Sequence, residues 1–212
     1  VDVPPESQLH RQVVRKEADA HPIEIDPVVR LHYVEVREPD LSDPSGDLQR
    51  VAEALEHDWE LTGLTADPHV LATLQRALRA GDWTVTVAVR DGREIVAVWP
   101  GFHDVSLGVA FDVGSTTVAG HLCDLHTGDV LASAGVMNPQ IRFGEDLMSR
   151  VSYVMMHPGS DAELTDAIRG CVDGLIEELC AEAQVDATDV LELTIVGNPI
   201  MHHLFLGIDP TE

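Results

Sequence analysis

The chain has 212 residues, 44% of them hydrophobic, enough for one large or two small cores. Its 37 acidic residues against 13 basic ones leave a formal net charge of −24, with Lys16 as the only lysine. A surface so acidic repels phosphate backbones, which argues against nucleic acid as a partner and reads as solvated surface.

Residues 1–27 are polar, carry Pro4, Pro5, Pro22 and Pro27, and show no sustained period; they are expected to be a linker. They contain neither an initiator Met nor a charged-then-apolar leader, and no apolar run in the chain approaches the roughly 18 residues of a membrane span. The expectation is a soluble, cytoplasmic protein without a membrane partner, of which this chain is a piece. Cys123, Cys171 and Cys180 are odd in number and far from C-x-x-C spacing, as reduced thiols are.

Residues 28–103 form a pattern of their own. Arg30-Leu-His-Tyr-Val-Glu-Val-Arg alternates as a strand does, and Leu48, Val51, Ala52 and Leu55 share a helical face. Asp67-Pro68 opens a second helix that Gly81 closes. Two apolar runs, from Trp83 and from Arg93, flank Asp91-Gly92, a hairpin signal. This predicts a small α+β domain without a constellation of reactive groups, in which Trp59, Trp83 and Trp99 are core or interface anchors.

From 104 to 212 the pattern changes. Three strands follow one another: Ser106 to Asp112, Thr117 to Leu125, and Val130 to Val136. A helix is expected over Glu145 to Met156. Ser160-Asp-Ala-Glu163 has capping-box form and opens a longer helix with Leu164, Ile168, Cys171, Val172, Leu175, Ile176 and Leu179 on one stripe. Gly170 and Gly174, four apart, suggest close backbone packing. A strand from Val190 ends at Gly197-Asn198, ahead of a short helix.

Chemistry concentrates at the turn between the first two of these strands, Phe111-Asp112-Val113-Gly114-Ser115-Thr116-Thr117. Gly114 lets backbone approach a phosphate, and turn amides with the hydroxyls of Ser115, Thr116 and Thr117 can surround phosphate oxygens. Asp112 would repel a polyphosphate unless Mg²⁺ or a metal-bound water lies between them. The same residue types also make an ordinary hairpin turn. Gly197 and Asn198 lie past a later strand end, where an open α/β sheet contacts ligands; Asn198 orients a water or a phosphate, or caps the strand. Adjacent His202 and His203 point about 100° apart, which argues against a shared metal.

The order of three strands, helix, strand and helix around Asp112-Val-Gly-Ser-Thr resembles the superfamily of acetate and sugar kinases, heat-shock chaperone ATPases and actin. A narrower resemblance rests on Asn138-Pro-Gln-Ile-Arg-Phe-Gly-Glu-Asp146, Ser149-Arg150, Gly197-Asn-Pro-Ile-Met-His-His203 and Gly207-Ile-Asp-Pro, with Val-Pro-Pro-Glu-Ser at 3–7. These segments are similar to ATP-dependent reductive activators of corrinoid proteins, which couple ATP hydrolysis to restoring Co(II) cobalamin to Co(I). That resemblance implies a middle α+β domain at 28–103. It also implies the first, RNase H-like, subdomain of an incomplete actin-like ATPase domain at 104–212.

It implies ATP and Mg²⁺ as ligands. Asp112, Gly114, Ser115, Thr116 and Thr117 are then the first phosphate motif, Gly197 and Asn198 further cofactor contacts, Asp112 and Asn198 catalytic, and Asp112 the Mg²⁺ residue through water. The partner is a corrinoid protein, and a homodimer stays open. A [2Fe–2S] cluster belongs to an N-terminal ferredoxin-like domain that this sequence does not contain. Arg142, Glu145 and Asp146 read as ordinary charge at a helix start. A small-molecule kinase of the same superfamily, or a non-catalytic scaffold that docks a corrinoid protein, are the alternatives. Radical dehydratase activators share the fold but hold a [4Fe–4S] cluster through cysteines, and none here is suitably placed.

Overall fold

The computed structural model describes residues 25–211. It is mixed α+β and divides into two compact units. One comprises the described residues up to Leu107 together with Leu125–Thr127; the other comprises Gly108–Asp124 and the described residues from Gly128 on. The expected linker at 1–27 falls almost wholly outside the described residues.

In the first unit, strand β1 (Val29–Glu35) is followed by helix α1 (Asp47–Trp59), the two-residue strand β2 (Thr65–Ala66), helix α2 (Pro68–Ala80) and the hairpin β3 (Thr84–Arg90) and β4 (Glu94–Pro100). The sheet runs β1-β3-β4-β2, antiparallel except for β2 beside β4. Alternation aims Val85, Val87 and Val89 into one core with Val34, Val51, Leu55, Val70, Leu74, Leu78 and Ile95. α2 begins as the sequence suggests, with the Asp67 carboxylate accepting from the His69 amide at 2.7 Å and Pro68 in the first turn. Asp91 and Gly92 have φ of 52° and 63°, the left-handed central pair of a tight turn closed by the Arg93 amide donating to the Arg90 carbonyl at 2.9 Å.

Trp83 departs from its expected place in β3. With Asp82 it adopts positive φ and reverses the chain out of α2, and a Cβ at Gly81 would lie 2.1 Å from the Thr84 carbonyl. Of the three tryptophans, Trp83 packs against the core, Trp59 is half-exposed and donates to the Tyr33 carbonyl, and Trp99 stacks on His103.

The second unit holds β5 (Leu107–Val113), β6 (Thr117–Asp124), β7 (Val130–Met137), a 3-10 turn (Pro139–Phe143), α3 (Leu147–Met156), α4 (Asp161–Ala183), β8 (Val190–Gly197) and α5 (Pro199–Leu206). Its sheet order is β7-β6-β5-β8. α4 lies against β6 and β7 through Leu164, Ile168, Val172, Leu175 and Leu179, all buried. Two expectations fail there. Ser160 makes no capping bond, because it adopts helical φ and ψ and its hydroxyl is buried. Gly170 and Gly174 are exposed with nothing within 4 Å of an added Cβ, so they mediate no close packing.

The glycine that packing does require is Gly120 on β6. A Cβ there would sit 2.7 Å from the Phe111 ring and 3.2 Å from Leu179, so Gly120 makes the space that β5's one aromatic occupies. We expect Gly120→Val to destabilise the second unit by about 1–3 kcal/mol through overpacking. All three tryptophans lie in the first unit, so the far-UV dichroism transition should move while the tryptophan fluorescence transition stays in place. Equal shifts in both signals would show that the units do not melt separately.

Candidate functional site

β5 delivers the site. Phe111 and Val113 face the core, so Asp112 between them faces solvent at the strand's end. Three residues, 114–116, then turn the chain into β6, closed by the Gly114 amide donating to the Thr117 carbonyl at 3.0 Å. A Cβ at Gly114 would stand 2.8 Å from that same carbonyl, so the turn admits glycine at this point. Thr116 is exposed, and Ser115 and Thr117 are half-exposed.

Gly197 closes β8 directly beside this point: a Cβ there would lie 3.0 Å from the Val113 carbonyl. The C-terminal ends of β5 and β8 are therefore side by side, and Asp112, the 114–117 turn, Gly197 and Asn198 gather at one sheet edge. The Asn198 Oδ1 accepts from the Met201 amide at 3.0 Å and caps α5, with Pro199 behind it. What Asn198 has to present elsewhere is its NH₂ group.

Behind the turn lies a buried polar layer whose roles sequence reasoning missed. Asn138 and Arg150 are both wholly buried. The Asn138 Nδ2 donates to the Gly114 carbonyl at 2.8 Å, the Arg150 Nη2 donates to the Ser115 carbonyl, and the Asn138 amide donates to the Thr116 carbonyl at 2.8 Å. Three consecutive turn carbonyls are thus held from one side. Asn138 also caps the 3-10 turn by accepting from the Gln140 amide at 2.9 Å, again with a proline next in sequence. Gln140, itself buried, donates to the Leu164 carbonyl of α4 at 2.9 Å and accepts from Arg150 at 3.4 Å.

The Arg150 Nε donates to the Gly144 carbonyl at 3.0 Å, and its Nη1 lies 3.4 Å from the Met201 sulfur of α5. Every hydrogen-bond acceptor of Arg150 is formally neutral, and no carboxylate among the described residues forms an ion pair with it. Burial pushes its guanidinium below its ordinary value, with Asp146 acting weakly the other way. A guanidinium nevertheless stays charged in a protein.

The charged residues just upstream are arranged differently from a helix start. Arg142 lies over the Phe143 ring at 4.6 Å, Glu145 is exposed ahead of α3, and only Asp146 is a cap, accepting from the Ser149 amide at 2.8 Å. Among the described residues no group of three His, Cys, Asp or Glu side chains could hold a metal, so a cation at Asp112 would draw its other ligands from a phosphate and water. Burial pushes the thiols of Cys123, Cys171 and Cys180 up, away from the thiolate form that ligates clusters. The His202 Nε2 is buried without a partner. No helix among the described residues is long and apolar enough to cross a membrane.

Comparison with known proteins bears on both units. A family model described as the RACo middle region matches residues 107–212, and one described as the RACo linker region matches residues 18–105. The family's linker region thus corresponds to the α+β unit that sequence analysis assigned to a middle domain, and its middle region to the unit carrying Asp112. The corrinoid activation enzyme RamQ of Eubacterium limosum is 37% identical over 103 residues, which is 49% of this chain and 17% of that protein. A solved structure described as a reductive activator for corrinoid, iron-sulfur protein is 34% identical, with a TM-score of 0.74 over 91% of this chain and 31% of its own. The chain therefore spans less than a third of the length of either relative.

The Asp146 cap makes a pH prediction. The Ser149 amide, and then its side chain, hold this carboxyl below the usual carboxylate value. Its contribution is therefore complete above the unfolded value, about 4, and is lost as pH falls through the folded value. Asp146→Ala should melt below wild type at pH 7, with the gap closing as pH is taken below about 4. A gap that holds constant across that range would show that the ionised cap contributes nothing.

Proposed function

Since the chain belongs to the RACo family of reductive activators of corrinoid proteins, we propose that it is the part of such an activator that carries the first phosphate-binding turn of an ATPase. The whole protein would use ATP hydrolysis to bring the cobalamin of a corrinoid partner from Co(II) to Co(I). An iron–sulfur domain elsewhere in the protein would supply the electron.

The observation that carries this reading is the turn itself. Gly114, Ser115 and Thr116 have their carbonyls engaged from the protein side by Asn138 and Arg150. The Gly114 amide closes the turn on the Thr117 carbonyl, while the Ser115 and Thr116 amides and the Ser115, Thr116 and Thr117 hydroxyls take no part in that layer and suit an anion. Gly114 is needed there because the Thr117 carbonyl occupies the place of a side chain, which keeps the turn tight. Asp112, exposed at the strand end, suits a carboxylate that meets Mg²⁺ directly or through water. Gly197 lets the neighbouring strand end close on the Val113 carbonyl, and the Asn198 NH₂ can orient a water or a phosphate oxygen.

The ATP reading assigns each residue a task. The turn binds and orients the phosphates, Asp112 holds the cation that neutralises them, and the pinned carbonyls keep the donors aimed without reorganisation. ATP hydrolysis supplies the free energy that an unfavourable reduction needs. Electron transfer alone cannot alter an equilibrium, so nucleotide binding must change the affinity for one state of the partner.

In the full-length protein, Asp112→Ala should lower ATP hydrolysis by about a hundredfold or more while leaving the dichroism spectrum unchanged. Formation of Co(I), followed by its absorbance, should fall with it. Normal hydrolysis by this variant would remove the nucleotide site from this turn. Linkage makes a second demand: affinity for the corrinoid partner should differ between ATP, ADP and no nucleotide. Identical affinity in all three states would sever the coupling.

A further inference from the structure

The sheet edge described above accounts for Asp112 and the turn but leaves a buried charge unexplained. Arg150 is fully buried, and its guanidinium meets only neutral acceptors: the carbonyls of Ser115 and Gly144, the Gln140 amide oxygen and the Met201 sulfur. Wherever the other arginines of this chain form ion pairs, as Arg37, Arg50, Arg79 and Arg90 do, the partner is an Asp or Glu. In a chain with 37 acidic residues, a buried arginine without one is conspicuous. The cap Asp146 accepts from the Ser149 amide and attracts the guanidinium at longer range, without forming an ion pair with it.

Burying a cation without an ion-pair partner is costly, and hydrogen bonds to neutral groups offset only part of that cost. A hydrogen bond to a turn carbonyl alone would be served by a neutral donor, as Asn138 serves Gly114. The position of the charge is what distinguishes Arg150. Its Nη2 touches the Ser115 carbonyl, so the charge lies directly beneath the turn that carries the Ser115, Thr116 and Thr117 hydroxyls.

We propose that Arg150 is a positioning residue that acts through the 114–117 turn, its buried charge setting a positive potential that a polyphosphate completes. The proposal rests on the nucleotide reading of that turn. Arg150 does not touch the ligand; it polarises the Ser115 peptide and counteracts the repulsion between Asp112 and the phosphates. Its preference is therefore for phosphate charge, and the nucleoside part is indifferent to it.

The test compares Mg²⁺-bound ATP and AMP binding to the full-length protein by calorimetry, for wild type, Arg150→Gln and Arg150→Lys. Gln keeps a donor and removes the charge, whereas Lys keeps the charge and loses the fork. Arg150→Gln should lower the preference for ATP over AMP by on the order of tenfold. Arg150→Lys should restore most of that preference even where both nucleotides bind more weakly. A Gln variant with the wild-type preference, or a Lys variant no better than Gln, overturns the proposal. Dichroism and thermal melting establish that each variant is folded.

Should Arg150→Gln fail to fold, Asp112→Asn decides the question with Arg150 in place. With the carboxylate neutralised, ATP without Mg²⁺ should bind more tightly than AMP, and equal binding overturns the proposal. Wild type that binds no nucleotide at all would instead remove the nucleotide reading, and this inference with it.

Discussion

One arginine side chain, taken out of water beneath a turn of three residues, ties the second unit together. Arg150 reaches the turn at Ser115, the loop at Gly144, the 3-10 segment at Gln140 and helix α5 at Met201. Gln140 continues the chain of bonds to α4 at Leu164. Removing one member of such a layer leaves its partners buried and unpaired, which typically costs more than the bond was worth. The turn, the two helices and the loop are therefore determined together. That suits a site whose donors must already point the right way when a ligand arrives.

The apolar frame had to exist before this polar layer could be placed. β5 carries Phe111 and Val113 into the core, which leaves Asp112 no direction but outward. Gly120 lets Phe111 lie against β6, and Gly197 lets β8 close on the Val113 carbonyl. Neither glycine needs an unusual backbone angle. Each is required because another group occupies the space its side chain would fill.

The sequence was legible where the physics is local. Alternation marked β1, apolar runs marked β3 and β5, Asp67-Pro68 and Gly81 bounded α2, and Asp91-Gly92 marked the hairpin, since each depends on residues within a few positions of one another. The turn at 114–116 was legible for the same reason. Asn138, Gln140 and Arg150 were quoted as part of a family resemblance, yet their place beneath the turn was not readable. Polar residues look like surface in any hydropathy pattern, and their burial depends on a strand some twenty to thirty-five positions earlier. Ser160 and the Gly170–Gly174 pair misled in the opposite sense. Both match local motifs, but Ser160 is already helical and the two glycines face away from the sheet. The short strand β2 gave no signal, because two residues are too few for a period.

The sequence contains two asparagines, 138 and 198, and both lie at this site, each capping a helical segment and each followed by proline. Asparagine ages in proteins mainly when the next residue's backbone nitrogen attacks its side-chain amide, closing a succinimide that opens to aspartate. Proline has no N–H to offer for that ring closure. The Asn-Pro pairing that sets the helix geometry therefore also slows the spontaneous conversion of either amide to a carboxylate. At Asn138 that conversion would put a negative charge against the Gly114 carbonyl. The site is thereby guarded against chemical wear by the residue that shapes it.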